Sequence, residues 1–450
     1  MLALFQDPDI PAQAGSDFGN TTEVHPVGVA ALALLTALAL LVPRRWSTLP
    51  VILLLCFIPA GQRIVIATVD FTFIRLLMMV IWGRLVLRSE IKAFAWNHLD
   101  RAMVVWAVTL FTFGTLQAMT LTALVNRVGV AIDAMMVYFF FRLVIRDADD
   151  LIHIAMQFMV SGFAVAVFFF IENRTQHNMF GVLGGVPLIT DVRDGRLRCQ
   201  GAFAHAILAG CFWACLVPFY FARGWLGRGW LFPLFGTMAT LAIVLLCASS
   251  TPIMAVLFGV LGGASFFVRG ALRWLRWLIF GWLCILHLVL MKQPVWHLLA
   301  RVDVVGGSTG WHRFHLVDKF IANFQEWWLV GTPATGHWGP GLHDVTNQFV
   351  SEGVSGGLAQ LVMFCLCVWF AFSGISRSMR TAAVSPANRL IAWALGTAMF
   401  MHCMNFIAVT YFEQIVVLWY MTLAACASLT LVPGVPIEQQ LRRQSALATA

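Results

Sequence analysis

The chain has 450 residues, of which 60% are hydrophobic and only 11% charged. A soluble domain averages about 25% charged residues, so this composition excludes an ordinary soluble protein and points to one embedded in a membrane. The formal charge of +8 is no sign of nucleic-acid binding, because excess Lys and Arg in a membrane protein mostly marks cytoplasmic loops.

Apolar runs of about twenty residues recur and alternating ten-residue strands do not. The expected fold is therefore all-α, a polytopic transmembrane helical bundle. Its candidate spans, about thirteen, lie near 27–43, 49–67, 70–87, 102–119, 124–145, 151–171, 201–221, 230–249, 252–268, 275–291, 347–373, 386–408 and 411–431. Before the first run stand Asp7, Asp9, Asp17 and Glu23 with no basic stretch, which does not read as a cleavable signal peptide. With the N-terminus placed outside, the inner segments hold Arg44 and Arg45, then Arg84, Arg88, Lys92 and Arg101, then Arg142 and Arg146, then Arg223 and Arg228. Later inner segments hold Arg269, Arg273 and Arg276, then Arg377, Arg380 and Arg389, and finally Arg442 and Arg443. Every inner loop is basic, as the positive-inside rule requires, and the C-terminus falls inside. Arg75 in the third span and Arg127 and Asp133 in the fifth are the intramembrane charges. Six residues separate Arg127 from Asp133, too many for direct pairing along one helix, so each needs a partner elsewhere.

Two outer segments, 172–200 and 292–346, are too long to be mere connectors, whereas the turns near Arg63, Met119, Ser250 and Thr410 are short. They divide the chain into helices 1–171, a first loop 172–200, helices 201–291, a second loop 292–346, and a final helical part with its tail, 347–450. Long loops in compact folds are functional or disordered, and the aromatics and helix signals in these two favour function.

The first loop places Arg193, Arg196 and Arg198 within six residues. Guanidinium groups there can grip a pyrophosphate through paired N–H donors, or hold the loop against anionic headgroups. Arg198 leads straight into the span through RCQGAFAHAIL, which puts it close to His205 at a depth where an unpaired charge is costly. In the second loop Ser308 or Thr309 can cap a helix starting at Trp311. Phe314, Val317, Ile321, Phe324 and Trp328 follow at three- and four-residue steps as one apolar stripe, and Gly331 and Pro333 end the helix. It reads as an interfacial helix on the outer leaflet or as a helix packed over the bundle, and both readings set Arg313 near headgroup level. His312 and His315, with Asp318 nearby, have ligand-like spacing but no fourth ligand at a recognisable distance.

From Gly331 to Leu358 a glycine-rich loop carrying His337, His343 and Asp344 runs directly into an apolar helix. A histidine there can take a proton from a sugar hydroxyl at neutral pH, and a lone loop histidine is as readily a polar surface residue. Nine of the ten cysteines fall in apolar runs, with no CxxC pair, so neither a disulfide framework nor a zinc site is expected. P-loop, GxGxxG and HExxH signals are absent, as is a paired acidic motif in the outer loops. No metal and no cofactor is expected.

Arg198, Gly201, Phe203 and His205 entering one helix, and Asn347, Phe349, Glu352, Gly353, Gly357 and Leu358 entering another, resemble the O-antigen ligase and O-antigen polymerase superfamily over roughly 170–370. The resemblance implies an inverting, metal-independent glycosyltransferase of the GT-C type. Such an enzyme transfers glycan from undecaprenyl pyrophosphate to another sugar at the periplasmic face of the bacterial inner membrane. It implies arginines on the pyrophosphate, matched here by Arg198 and Arg313 and joined by Arg193 and Arg196. His205, His312, Asn347 and Glu352 would then line the substrate pocket. The family commonly has His-Asn where this chain has Thr346-Asn347, so the general base is His343 or Asp344. The DVTN form is similar to an exopolysaccharide polymerase subgroup, which implies a lipid-linked oligosaccharide substrate and a chain-length regulator as possible partners, and favours a polymerase over a ligase.

Overall fold

The computed structural model describes residues 21–66, 69–91, 94–301, 310–380 and 386–429. The helix cap expected at Ser308 or Thr309, the acidic residues Asp7, Asp9 and Asp17, and Lys92, Arg442 and Arg443 lie outside the described residues.

Most of the described chain is helix. In order come α1 (Pro26–Leu41), α2 (Leu49–Phe57), α3 (Phe73–Leu87), α4 (His98–Ala118), α5 (Leu121–Val144), α6 (Ala148–Thr175), α7 (Ala206–Trp225), α8 (Leu231–Leu246), α9 (Ser250–Ala264) and α10 (Leu272–Ile285). The second long loop contributes α11 (Gly310–Ala322) and α12 (Phe324–Trp327), and α13 (Gln348–Arg380), α14 (Pro386–Phe406) and α15 (Gln414–Leu429) close the fold. Among the described residues six helices are long and apolar enough to cross a membrane: α4, α5, α6, α7, α13 and the run Leu272–Leu290 that begins with α10. All thirteen expected spans carry helix. Asn97 caps α4 in a reciprocal box with Asp100.

The second expected span, 49–67, is shorter than its hydropathy suggests. Proline and glycine at Pro59 and Gly61 stop α2 after nine residues, about 13 Å of helix against a hydrocarbon core of about 30 Å. The chain then forms a hairpin, β1 (Arg63–Ile66) against β2 (Val69–Thr72), with Arg63 opposite Thr72. A second hairpin, β3 (Val192–Arg193) with β4 (Arg196–Leu197), tips the first long loop.

α15 runs through the middle, with every residue from Val417 to Ser428 buried; it packs on α5, α13, α14 and α7. α13 lies along α4, and α7 along α8 and α9. α6 has 28 residues, about 42 Å at 1.5 Å per residue, so its two ends mark opposite faces of the bundle. At its start Asp150 meets Arg44 at 3.4 Å and Arg45 at 3.7 Å. On the same side Arg142 pairs with Asp100 at 3.0 Å, Arg84 with Glu90 at 2.9 Å and Arg228 with Asp149 at 2.6 Å. At the other end both long loops come together.

The helix expected from Trp311 onward is present but broken at Asn323, and its buried side is not the expected stripe. Phe314, Leu316 and Phe320 are buried with Trp327, whereas Ile321, Phe324 and Trp328 are exposed. The reason is tertiary: Leu316, Phe320 and Trp327 form a cluster with Trp338, Leu342 and Val350, so the helix packs over the bundle and turns its face toward the end of its own loop.

Candidate functional site

Glu172, at the end of α6, builds the first loop. Its carboxylate accepts from Gln200 N at 3.0 Å, Gly201 N at 3.0 Å and Thr190 Oγ1 at 3.1 Å. Gly201 has φ +58, and a Cβ there would meet Phe169 at 2.5 Å, so only glycine lets the chain close on this carboxylate. The clasp sets Arg198 just upstream of α7.

Arg198 is buried, and its one ion pair among the described residues is with exposed Asp191 at 3.7 Å. Its Nε is buried without an acceptor. Burial first, and then the Arg193 charge, pull the guanidinium below its ordinary value, although an arginine stays protonated. Arg313, on α11, donates to the Ala408 carbonyl at 3.2 Å and to Thr251 Oγ1 at 3.1 Å, both neutral groups. Burial lowers its pKa, and Arg193 acts in the same direction. Arg193 therefore lies within electrostatic reach of both.

Arg196 is exposed and opposes Arg193 across the hairpin. Like charges facing one another on adjacent strands are unfavourable, so the tip too gains from an anion. It is not among the charges acting on Arg198, His205 or Arg313.

His205 begins α7, where its Nδ1 accepts from Ile207 N at 3.2 Å. His205 is solvent-exposed, with protein packed close around it. Burial and then the Arg198 charge push its pKa down to about 4, against the pull of Asp344. The imidazole is thus neutral at pH 7.

The two proposed bases are adjacent in the chain and both exposed. Asp344 lies in the field of His205, and its backbone oxygen is 3.0 Å from His312 Nε2. His343 is exposed on the turn beside Gly336. His337 is held by Glu326 at 2.9 Å, as is Trp338 Nε1, and stabilises the loop. His312, His315 and Asp318 diverge: His315 stacks on Trp311 and Asp318 accepts from Trp296 at 3.3 Å.

Asn347 and Glu352 are placed differently from the expected pocket. Asn347 is a helix cap, with Oδ1 accepting from Phe349 N and Val350 N and Nδ2 donating to the Ile407 carbonyl, which leaves one N–H of the amide. Glu352 lies deeper, accepting from Trp106 Nε1, Gln348 Nε2 and Gln360 Nε2 at 2.8–3.0 Å. The Gly356–Gly357 break in α13, with Gly357 at φ +71, admits the backbone of the second loop, so that Leu358 N bonds the Trp328 carbonyl at 2.8 Å.

Glu352 lines a cavity of about 460 Å³ together with Arg75, Arg127 and Asp133. Arg75 and Asp133 are each other's partner, joined at 2.8 and 2.6 Å. One more carboxyl lines it, Glu413, in the turn between α14 and α15. The sequence reading passed over this short turn. Its one signal is an acidic residue between apolar helices, in the tetrapeptide YFEQ.

Compared with protein-family models and with curated proteins, the chain matches none.

Proposed function

We propose that this protein is a membrane glycosyltransferase, a polysaccharide polymerase that moves glycan from undecaprenyl pyrophosphate to a sugar hydroxyl. The observation carrying the reading is the gathering of Arg193, Arg198 and Arg313 from two loops more than a hundred residues apart. At the opposite end of the bundle arginines meet carboxylates at 2.6–3.7 Å; here one buried arginine has a single carboxylate, itself exposed, and another has only neutral acceptors. Burying Arg198 and Arg313 without a close carboxylate is costly unless an anion joins them.

A pyrophosphate leaving group supplies that anion. Attack at the anomeric carbon breaks the bond to phosphate oxygen and leaves negative charge on it, which fixed guanidinium groups stabilise without a metal. Neutral His205 offers a hydrogen bond beside them. The resemblance to O-antigen polymerases and ligases, the GT-C architecture and the periplasmic placement belong to the same reading. Transfer to lipid A core or protein is the variant closest to it. Transport of the lipid-linked sugar is favoured by one observation, the charged residues Arg75, Arg127, Asp133 and Glu352 around a single cavity.

Purified protein in liposomes containing a lipid-linked pyrophosphate oligosaccharide tests the reading. New glycosidic bonds, seen as longer chains on gels, are expected. Translocation without bond formation refutes it.

A further inference from the structure

Three carboxyl groups, Asp133, Glu352 and Glu413, line the cavity bounded by α2, α3, α5, α13 and α15. The fold consumes two of them. Asp133 accepts from Nε and Nη2 of Arg75, and Glu352 accepts from three side-chain donors. Glu413 accepts one backbone N–H, from Ala204, and is in no salt bridge among the described residues. Ala204 immediately precedes His205, and Arg313 donates to Ala408 in the same turn, so the turn that carries Glu413 is joined to an arginine of the second loop as well as to the cavity.

Its turn is fixed from several directions. Thr410 Oγ1 donates to the Val345 carbonyl at 2.6 Å, Tyr411 N to Gln348 Oε1 at 2.8 Å, and Gln414 Nε2 to the Ala202 carbonyl at 2.8 Å. The Tyr411 hydroxyl is 2.9 Å from His402 Nδ1 and 3.1 Å from Asn405 Nδ2. Glu413 itself has φ +58, a conformation that for a residue with a side chain persists only where its surroundings enforce it. The second long loop, the start of α13 and the segment leading into α7 are thereby tied to one turn.

We propose that Glu413 is the proton acceptor for the attacking hydroxyl, which is presented at the mouth of the cavity. The inference rests on the glycosyl-transfer reading and names a base that the sequence did not. In the step, the hydroxyl oxygen bonds to the anomeric carbon and its proton passes to a Glu413 oxygen. The bond from that carbon to phosphate breaks, and pyrophosphate leaves with the electron pair, held by the arginines. Burial, opposed by the Ala204 N–H, pushes the carboxyl up to about 7, which suits a base working near neutral pH. Asp344, the rival carboxylate, is exposed on the surface of the second loop.

Glu413→Gln keeps the size of the side chain and an oxygen for the Ala204 N–H. In the liposome assay it is expected to lose about 10²- to 10⁴-fold in turnover while still binding lipid-linked pyrophosphate donor. Glu413→Asp, which keeps the carboxyl, is expected to retain more turnover than Glu413→Gln; should Glu413→Gln not fold, Glu413→Asp must still show measurable turnover with an altered pH profile. Turnover by Glu413→Gln within tenfold of wild type overturns the assignment, as does equal loss in the two variants. A wild-type protein that forms no glycosidic bond at all removes the functional reading itself.

Discussion

Replacing Arg198 by Ala separates a binding charge from a structural one. The side chain is 9% exposed, its carboxylate partner stands 3.7 Å away and is 63% exposed, and its Nε has no acceptor. A buried donor without a partner costs about 1–3 kcal/mol, so removal relieves a penalty that offsets the lost packing. The thermal midpoint is therefore expected to hold or rise. Turnover should fall steeply. A unit charge about 4 Å from developing negative charge is worth about 4 kcal/mol at an effective dielectric of about 20, or about 10³-fold. Arg193 and Arg313 remain to share the load, which brings the expected loss to about 10²- to 10³-fold, the range seen when one oxyanion donor is removed. The assay is chain elongation from lipid-linked donor by purified protein, with differential scanning fluorimetry on the same samples. Activity within threefold of wild type refutes the anion-site argument. Loss of activity together with a midpoint lowered by many degrees refutes it too, because Arg198 would then serve the fold.

His205, pushed down to about 4, binds its proton less readily in the folded chain than in the unfolded chain, where its pKa is about 6.5. Its contribution is complete above about pH 6.5 and falls as the pH drops toward 4, so His205→Asn should flatten the thermal midpoint over that window, read by fluorimetry at stepped pH. Gly201→Ala forces a Cβ toward Phe169 at 2.5 Å with φ +58 and should cost about 1–3 kcal/mol, measured by denaturant titration, with donor binding weakened because Arg198 shifts with the loop. Asn347→Ala removes the two cap bonds of α13 and should cost about 1 kcal/mol in the same titration while sparing the donor's affinity.

The positions of the helices were legible because an apolar run in a membrane must satisfy its own backbone, and helix does this locally. The same logic failed at 49–67, where Pro59 and Gly61 override hydropathy. Arg198 beside His205 was legible too, since seven residues and a helix start confine them to one end of a span. The partner of Asp133 was not: its need for one followed from burial, but Arg75 lies 58 residues away on another helix, a distance in sequence that spacing rules do not cover. The stripe on α11 was misjudged for a related reason. Periodicity located apolar residues, whereas the packing of Trp338, Leu342 and Val350 decided which of them to bury. Asn347 looked like a substrate residue because it sits in a motif; its Oδ1 is spent on starting α13.

Glu413 raises a different point about short turns in a bundle of this kind. A connector of a few residues between two buried helices has little freedom, so a carboxyl placed there is held as rigidly as one on a helix. The first and second loops supply the cations, and the second closes on that turn through Arg313 to Ala408 and Thr410 to Val345. On the proposed function, the charges that hold the donor come from the loops, while the proton acceptor sits in the turn between α14 and α15. Catalysis by positioning favours that division, since an error of about 1 Å at the proton acceptor can cost about 10²-fold, whereas longer-range attraction to a pyrophosphate tolerates it.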